Sequence, residues 1–211
     1  MTRVALAYPK ILGSKDAPLD AKRCIAFEKY DGTNLHWVWE RELSWYAFGT
    51  RRDRFDLDPV GIAQFNVAHP GLEDAPGLFQ SLFANELDRI FQAKSISEEM
   101  TVFTEFLGPN SFAGMHKKED PKQLILFDVA RDGQILEPDQ FVQDFGHLPI
   151  ARVVYKGKLT GRFTEDVRLG KFGVNEGVVA KGSGWMVKIK TNAYMERLKA
   201  AFGKNWENYW E

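Results

Sequence analysis

The sequence has little that would place it among disulfide-rich, membrane or strongly charged proteins. It holds one cysteine, which excludes an intramolecular disulfide and is typical of a reducing compartment. Its 28 basic and 29 acidic side chains leave a net charge of −1, so no overall positive field draws the chain to nucleic acid. No long apolar run, secretory signal or lipidation motif stands in the sequence, and we therefore expect a cytoplasmic protein without a membrane partner.

Histidine and cysteine clusters of the kind that bind metals are also missing. The four histidines, His36, His69, His116 and His147, lack metal-ligand spacing, and we expect them at the surface or in turns. Cys24 stands in an apolar run and is predicted to be a small core residue.

What is present is enough apolar material for one domain. The chain has 211 residues, of which 44% are hydrophobic, including sixteen Phe and six Trp. No internal repeat or long Pro/Gly/Ser linker divides it. We therefore predict a single domain over residues 1–211, with residues 1–22 as a surface lead-in.

The hydrophobic pattern predicts clustered strands and a few helices. Strand-like runs lie at 23–28, 34–40, 43–50, 101–107, 123–130, 151–156, 176–181 and 185–190. Apolar spacing predicts helices over 77–94, 138–145, 164–170 and 192–210, and residues 51–76 are predicted to be mostly loop. Because the strands follow no regular βαβ alternation, the predicted class is α+β, with mainly antiparallel sheets flanked by helices.

One lysine stands at a predicted strand–turn–strand junction. Residues 28–34 read Glu-Lys-Tyr-Asp-Gly-Thr-Asn, between an apolar run and an alternating one. This context points the amine of Lys29 into a pocket. A lysine amine is a useful nucleophile when its pKa is lowered or cations crowd it.

Six short segments, in a fixed order, carry a family resemblance. They are Lys29–Gly32, Thr50–Arg52, Phe103–Leu107, Leu126–Val129, Glu176–Lys181 and Val187–Lys190. In this order they resemble the motifs of the covalent nucleotidyltransferases, the superfamily of polynucleotide ligases and capping enzymes. The sequence is most similar to ATP-dependent RNA ligases like the second RNA ligase of T-even phages. Gly32-Thr33-Asn34 favours that branch, whereas Asp31 departs from it, since those ligases often carry His there and DNA ligases and capping enzymes carry Asp.

The resemblance implies a fold, a reaction and its partners. The fold would be a nucleotidyltransferase (ATP-grasp-like ligase) domain. The reaction would have three steps: formation of lysyl-AMP from ATP, transfer of AMP to a 5′-phosphate end, and sealing of that end to a 3′-hydroxyl. The cofactors would be ATP and Mg²⁺ or Mn²⁺. The partner would be RNA with nicked or broken ends, or DNA, and we expect a monomer.

The resemblance also assigns roles to residues. Implied in catalysis are Lys29, Lys188, Lys190 and Asn34. Implied in nucleotide binding are Glu28, Asp31, Gly32, Arg51, Glu105, Phe127, Glu176 and Lys181, with Glu176 and Glu105 also as metal ligands. Lys188, Lys190 and a metal ion around Lys29 are expected to favour its neutral amine by like-charge repulsion.

Taken singly, these residues allow plainer interpretations. Lys188 and Lys190 leave the same face of a strand, which is common at a solvated strand edge. An isolated Glu in a strand usually faces solvent, and Phe127 suits an ordinary apolar core. The sequence does not decide which of Arg51, Arg52 and Arg54 contacts phosphate. Residues 115–118, Met-His-Lys-Lys, fit either a phosphate-gripping loop or a plain solvated one.

About twenty residues follow Lys190, which is enough for a helix but not for the second domain that polynucleotide ligases commonly carry. We therefore expect no separate OB-fold. We also expect the chain to transfer AMP to itself more efficiently than it joins polynucleotide ends. Three alternatives stay open: a minimal ATP-dependent DNA ligase, a GTP-dependent capping-type enzyme, and a non-catalytic module that binds nucleotide or RNA.

Overall fold

The chain folds as two β-sheets with α-helices beside them. The computed structural model describes residues 2–3, 7–16, 22–94, 99–108 and 119–209. In that part of the chain, one sheet has seven strands and the other has five. The predicted α+β class with largely antiparallel sheets is confirmed.

The larger sheet is antiparallel throughout. Its strands are Thr2–Arg3 (β1), Thr33–Glu40 (β4), Ser44–Thr50 (β5), Asp53–Asp56 (β6), Glu99–Leu107 (β7), Gln123–Arg131 (β8) and Gln134–Ile135 (β9). They lie side by side in the order β1-β6-β5-β4-β7-β8-β9.

The smaller sheet carries the predicted nucleophile. Its strands are Leu12–Gly13 (β2), Arg23–Lys29 (β3), Val153–Lys158 (β10), Gly177–Gly182 (β11) and Trp185–Lys190 (β12). Their order is β10-β3-β11-β12-β2, and all neighbours are antiparallel except the parallel pair β12–β2.

The α-helices connect and cover the sheets. They are Pro59–Ala68 (α1), Ala75–Phe79 (α2), Asn85–Lys94 (α3), Pro138–Phe145 (α4), Gly161–Arg168 (α5) and Asn192–Phe202 (α6). Between α2 and α3 the backbone makes a π-helical turn, Gln80–Ala84, and short 3-10 segments lie at Ser14–Asp16 and Gly203–Tyr209. Within the described residues, no helix combines the length and apolar character needed to cross a bilayer.

The alternation of side chains along β3 places Lys29. Cys24 and Ala26 point to one face, where they pack with α5 and the apolar residues of β11 and β12. Ile25 and Phe27 point to the other face and join the main core, which also contains side chains from the larger sheet. Lys29 is next in that second series, so its side chain leaves the face turned toward the larger sheet.

Aromatic side chains make much of the main core. Trp37 of β4 stacks on Phe79 of α2, with ring centroids 4.0 Å apart, and on Phe48 of β5 at 5.3 Å. The indole N–H of Trp37 donates to the hydroxyl of Thr104 on β7, so the buried ring leaves no donor unpaired. These contacts fix the position of β4 and β7, the strands that border the candidate site.

Several sequence-based predictions of elements need correction. Residues 51–76 are not mostly loop, because β6, α1 and the start of α2 lie there. The predicted helix 77–94 exists but begins at Ala75 and is interrupted by the π turn. The predicted helix 192–210 ends at Phe202, where Gly203 adopts a φ of 54° that favours glycine. The lead-in is not confined to the surface, since Tyr8 is 3% exposed.

Candidate active site

A row across three strands brings the two most informative lysines together. Lys29 of β3 lies opposite Gly177 of β11, and Gly177 lies opposite Lys190 of β12. Glu176, directly before Gly177, places its Oε1 2.8 Å from Nζ of Lys29 and 3.7 Å from Nζ of Lys190. One carboxylate oxygen therefore holds both amines.

This row requires a glycine at its centre. A Cβ at Gly177 would lie 2.0 Å from the carbonyl oxygen of Ile189 and 2.8 Å from Cα of Lys190. Both neighbours are backbone atoms and cannot swing aside. Gly177 therefore lets β12 approach β11 closely enough for Lys190 to reach Glu176.

The turn after Lys29 is held against β7. The backbone N–H of Gly32 donates to Oε1 of Glu105 at 3.1 Å, and a Cβ at Gly32 would lie 2.4 Å from the carbonyl oxygen of Phe106. Asn34 of β4 lies opposite Glu105 in the strand register. Glycine at position 32 thus allows the Lys-x-Asp-Gly turn to dock on the strand that carries Glu105.

The pKa of Lys29 depends on nearby carboxylates. Burial by itself lowers the pKa of the Lys29 amine, but the carboxylates of Glu176, Glu105 and Asp31 outweigh it and raise the pKa above its usual value. In the protein without metal and nucleotide, these carboxylates therefore favour the charged amine. The expected repulsion by Lys188, Lys190 and a bound metal ion stays a prediction.

Two neighbours of Lys29 have pKa values shifted toward neutrality. Burial lowers the pKa of Lys190 to about 8, with Lys29 and Lys188 adding repulsion and Glu176 opposing it. Burial raises the pKa of Glu105 to about 7, with Lys29 opposing and Glu176 adding repulsion. Shifts of this size at one place are typical of sites that move protons or bind charged ligands.

The other predicted lysine of β12 follows the expected alternation. Val187 and Ile189 are buried in the second core with Cys24 and Ala26. Lys188 is half-buried and leaves the same face as Lys190, opposite Val179 of β11. The plainer interpretation of both lysines as a solvated edge does not hold for Lys190, which is 8% exposed.

A β-bulge sets the place of Phe127. On β8, Asp128 lies opposite Phe103 and Leu126 lies opposite Thr104, so Phe127 is the extra residue between them. Its ring is half-buried and lies 6.3 Å from that of Phe103. Nζ of Lys181 donates to the carbonyl oxygen of Phe127 at 2.9 Å.

Sequence reasoning missed two residues beside Phe127. Asp128 is almost fully buried and pairs with Lys181, with Oδ1 2.7 Å from Nζ. The hydroxyl of Tyr8 donates to the same carboxylate, and the Tyr8 ring meets that of Phe127 edge-on at 5.1 Å. Asp128 stood inside a quoted motif and was open to inference, whereas Tyr8 lies in a segment without regular pattern.

The arginines after β5 are directed to different partners. Arg51 donates to the carbonyl oxygens of Tyr8 at 3.2 Å and Pro9 at 3.0 Å. Arg54 donates from Nε to Nε2 of His36 at 3.4 Å. The guanidinium charge of Arg51 lowers the pKa of Tyr8, against the larger effect of burial, and which arginine contacts phosphate stays open.

Two predictions about polar residues are corrected or limited. His36 was expected at the surface, but it is fully buried on β4, and burial with the nearby Arg54 charge lowers its pKa to about 4. Oε2 of Glu28 lies 2.8 Å from Nε of Arg152. The backbone N–H of Glu28 donates to the backbone carbonyl of Arg152. Residues 115–118, with His116, lie outside the described part of the chain.

The residues at Lys29 fit a divalent cation that is completed by other ligands. Oε2 of Glu176 and Oδ1 of Asn34 are buried without a hydrogen-bond partner among the described residues. In the same part of the chain, no three His, Cys, Asp or Glu side chains converge as a metal cluster. Mg²⁺ commonly takes one or two carboxylates and fills its shell with water and substrate phosphates, which suits Glu176 and Glu105.

The comparisons with known proteins find similar proteins by structure alone. Neither a family model nor a curated protein matches the chain. An archaeal ATP-dependent RNA ligase matches 99% of this chain with 18% identity and a TM-score of 0.63. A putative ATP-dependent DNA ligase from Aquifex aeolicus matches 96% of it with 17% identity and a TM-score of 0.59. An RNA ligase variant of Naegleria gruberi with ATP and Mn matches 84% of it with 15% identity and a TM-score of 0.57.

These likenesses show the fold. The described architecture is that of a ligase nucleotidyltransferase domain, as the ordered motifs predicted. The chain spans 56%, 56% and 52% of the three ligase chains, so it corresponds to a little over half of each. The specific resemblance to T-even phage ligases stays a prediction, as do the roles of the individual residues.

Proposed function

We propose that the chain is the nucleotidyltransferase domain of an ATP-dependent RNA ligase that forms a covalent Lys29–AMP intermediate. One observation carries the proposal: Lys29 and Lys190 meet at a single oxygen of a buried Glu176. A solvated strand edge does not account for a lysine 8% exposed beside a glutamate 4% exposed. A site that must hold a polyphosphate beside an amine accounts for this burial.

In the first step, Nζ of Lys29 attacks the α-phosphorus of ATP. A phosphorus–nitrogen bond forms, the bond to the oxygen bridging the β-phosphorus breaks, and pyrophosphate leaves with the electron pair. The ammonium sheds two protons, one before the attack and one as the phosphoramidate forms. The carboxylate of Glu176, 2.8 Å away, is the first acceptor in reach.

The surrounding residues bind the nucleotide and stabilise its charge. Lys190 and Lys188 stand on the face of Lys29 and would offset the charge that builds on the α-phosphate. Phe127, re-aimed by the bulge, offers a half-buried ring to the purine. A bound Mg²⁺ or Mn²⁺, held by Glu176 and Glu105, would add positive charge that favours the neutral Lys29 amine.

In the second and third steps, the ends of the polynucleotide replace ATP. An oxygen of the 5′-phosphate attacks the phosphorus of the phosphoramidate, and the bond to Lys29 breaks as the amine regains its protons. The 3′-hydroxyl oxygen then attacks the 5′-phosphorus and gives up its proton to solvent, the bond from that phosphorus to the oxygen shared with AMP breaks, and AMP leaves with the electron pair. Arg51 at the rim and Asn34 beside Glu105 are the residues we assign to the ends.

The decisive experiment follows the label from the nucleotide to the protein. The chain is incubated with α-labelled ATP or GTP and Mg²⁺ or Mn²⁺, and the denatured protein is tested for covalent label. We expect label from ATP in the wild type and none in Lys29→Arg, because arginine keeps the charge but is not a usable nucleophile. Lys158→Arg, an exposed change on β10, is the matched control and should label normally.

The outcomes separate the alternatives. If the wild-type chain takes no label from either nucleotide, the result contradicts the enzyme hypothesis and leaves the hypothesis of a non-catalytic binding module. Label from GTP alone favours a capping-type enzyme. Label that persists in Lys29→Arg shows that another residue is the nucleophile.

An ATP-dependent DNA ligase is the second candidate. Asp31 stands where the related RNA ligases often carry His, and the Aquifex aeolicus neighbour is described as a putative DNA ligase. Nicked duplexes with an all-RNA or an all-DNA nicked strand distinguish the two. Faster sealing of the RNA nick supports the proposal, and faster sealing of the DNA nick replaces it.

A further inference from the structure

A buried histidine of β4 takes no part in the steps proposed above. His36 is fully buried, and burial together with the charge of Arg54 lowers its pKa to about 4, so its imidazole is neutral near pH 7. Its Nδ1 lies 2.9 Å from the carbonyl oxygen of Thr50, and Nε of Arg54 donates to its Nε2 at 3.4 Å. Because a carbonyl oxygen only accepts, these partners assign the ring proton to Nδ1. Both ring nitrogens are therefore bonded.

The acceptor of this imidazole is the last residue of β5. Thr50 is also held at its other polar groups, since its N–H and its hydroxyl donate to Oδ1 of Asp53 at 3.1 Å and 2.6 Å. The second oxygen of Asp53 lies 2.9 Å from Nε2 of His69, at the end of α1. A Cβ at Gly49 would lie 2.1 Å from the carbonyl oxygen of Asp53, so the glycine lets the chain fold back this closely. The turn of residues 50–53 is thus fixed both to β4 and to α1.

This turn carries Arg51. The guanidinium of Arg51 donates to the carbonyl oxygens of Tyr8 at 3.2 Å and Pro9 at 3.0 Å. A guanidinium carries more N–H donors than these two bonds use, so it can also bind a phosphate. The carbonyl that His36 holds belongs to the peptide group between Thr50 and Arg51. His36 therefore acts on the backbone from which the arginine side chain leaves.

We propose that His36 is a positioning residue for the transfer of AMP to a 5′-phosphate end, and that it acts by fixing the peptide group before Arg51. The inference rests on the proposed function, in which Arg51 binds the polynucleotide end. A bond between a guanidinium and a phosphate depends on geometry, and a small displacement of a group that positions the substrate slows the reaction. His36 itself does not touch the reacting atoms.

Packing alone does not explain an imidazole at this position. His36 lies opposite Phe103 on β7, and an apolar side chain would fill the same space without burying polar nitrogens. Polar groups are unfavourable in the interior unless they are hydrogen-bonded, and here the bonded group is the backbone of the arginine turn. The donor on Nδ1 is the group that separates a positioning role from filling of the core.

Two substitutions of His36 test that donor. His36→Leu removes it, whereas His36→Asn keeps an N–H group near the position of Nδ1. Each variant is loaded with label from ATP, and the label is then followed from the protein to the 5′-phosphate end of a nicked RNA duplex. We expect His36→Leu to load within about twofold of the wild-type rate but to transfer AMP about tenfold more slowly, as for the loss of a hydrogen bond to a charged group. His36→Asn should regain most of the transfer rate.

The split between the two steps distinguishes positioning from a general loss of structure, which would slow both. His147→Leu is the matched control, since His147 is exposed and its Nε2 lies 3.3 Å from Glu86, and it should load and transfer at wild-type rates. If His36→Leu does not fold by circular dichroism, Asp53→Ala releases the N–H and hydroxyl of Thr50 instead and should show the same split.

The inference is overturned by a wild-type transfer rate in His36→Leu, or in Asp53→Ala where His36→Leu does not fold. An equal loss in both steps overturns it too, as does an asparagine variant that transfers no faster than the leucine variant. A wild type that loads label but does not pass it to the 5′-phosphate end overturns the role of His36 and leaves the lysyl-AMP step standing. A wild type that takes no label overturns both proposals.

Discussion

At the centre of the candidate site, Glu176 gives one oxygen to two lysines and leaves the other without a protein partner among the described residues. The first oxygen keeps Lys29 and Lys190 close despite their repulsion. The second oxygen is a carboxylate ligand of the kind that divalent cations bind. Glu176 therefore acts on the position of the amines and on their charge, and its second oxygen is the one we assign to a metal ion in the proposed function.

Glu176→Gln should reduce the rate of lysine adenylylation about a hundredfold. The amide keeps the shape but loses the charge that holds both ammonium groups, and a displacement of about 1 Å at a reacting atom costs that much. The measurement is single-turnover label transfer from ATP. Glu196→Gln, which removes the partner of Lys199 on the exposed side of α6, is the control and should label normally. Equal rates for the two variants would contradict the role of Glu176.

Glu105→Gln should make the protein more stable at about pH 8. The pKa of Glu105 is about 7 in the folded protein and near 4.5 in the unfolded chain, so stability falls as pH rises through that interval. The neutral amide avoids the charge and keeps the acceptor for Gly32, which predicts a gain of about 2 kcal/mol at pH 8 and none near pH 4.5.

Denaturant titrations at both pH values measure this gain. Glu99→Gln, at the other end of β7, is the control, and its stability should stay within about 0.5 kcal/mol of wild type at each pH. A loss of stability in Glu105→Gln at pH 8 would mean that its carboxylate is favourably paired there.

The residue types of the site could be predicted from the sequence, but the charge of Lys29 could not. The ordered motifs pointed to Lys29, Glu176 and Lys190, which the fold brings together. The sign of the pKa shift depends on which charges lie closest in space. Glu176 and Glu105 come from strands far from Lys29 along the chain, and only the fold brings their charges to the amine, where with Asp31 they outweigh the effect of burial on its pKa.

At the scale of elements, the bulge on β8 connects the two sheets. It exposes the carbonyl of Phe127 to Lys181 of β11 and leaves Asp128 to pair with the same ammonium. The rings of Phe27 and Phe141 also lie within 6 Å of Nζ. Lys181 thus forms a buried polar link between the sheets inside an aromatic environment.

Lys181→Met should destabilise the fold by about 3 kcal/mol, because it leaves the carboxylate of Asp128 buried with, among the described residues, the hydroxyl of Tyr8 as its remaining partner. Chemical denaturation at neutral pH measures the change. Adding Asp128→Leu should restore much of the loss, since a buried pair replaced by apolar groups is often neutral. A double variant less stable than Lys181→Met would show that the pair itself stabilises the protein.

The elements that the sequence missed lack a one-sided pattern. In α1, Val60 and Val67 are exposed while Phe65 is buried, so the apolar residues surround the helix and no stripe identifies it. Tyr8 joins the site through Asp128, about 120 positions away along the chain, and no local periodicity reports such a contact. The strands β3 and β12 were predictable for different reasons: β3 is a continuous apolar run buried on both faces, and β12 alternates because Val187 and Ile189 meet a core.

At the scale of the whole molecule, a net charge of −1 coexists with a face that gathers cations. Lys29, Lys181, Lys188 and Lys190 all leave the side of the smaller sheet that is turned toward the larger one. If the chain joins polynucleotide ends as proposed, the attraction must come from this face and its rim, over a short range, since the global charge contributes nothing. Nucleotide loading and end-joining should then respond differently to salt.

We expect end-joining on a nicked duplex to fall about ten- to fiftyfold between about 50 and 200 mM salt, as for the release of about three counterions. Label transfer from ATP to Lys29 should change much less, because the charges of Lys190 and Glu176 at this site are buried and poorly screened. Lys188→Gln should lower the salt slope of end-joining by about one, whereas Lys199→Gln, whose ammonium pairs with Glu196, should leave it unchanged. Parallel salt series of both reactions measure these slopes. Equal slopes for loading and joining would mean that the cationic face is not where the polynucleotide binds.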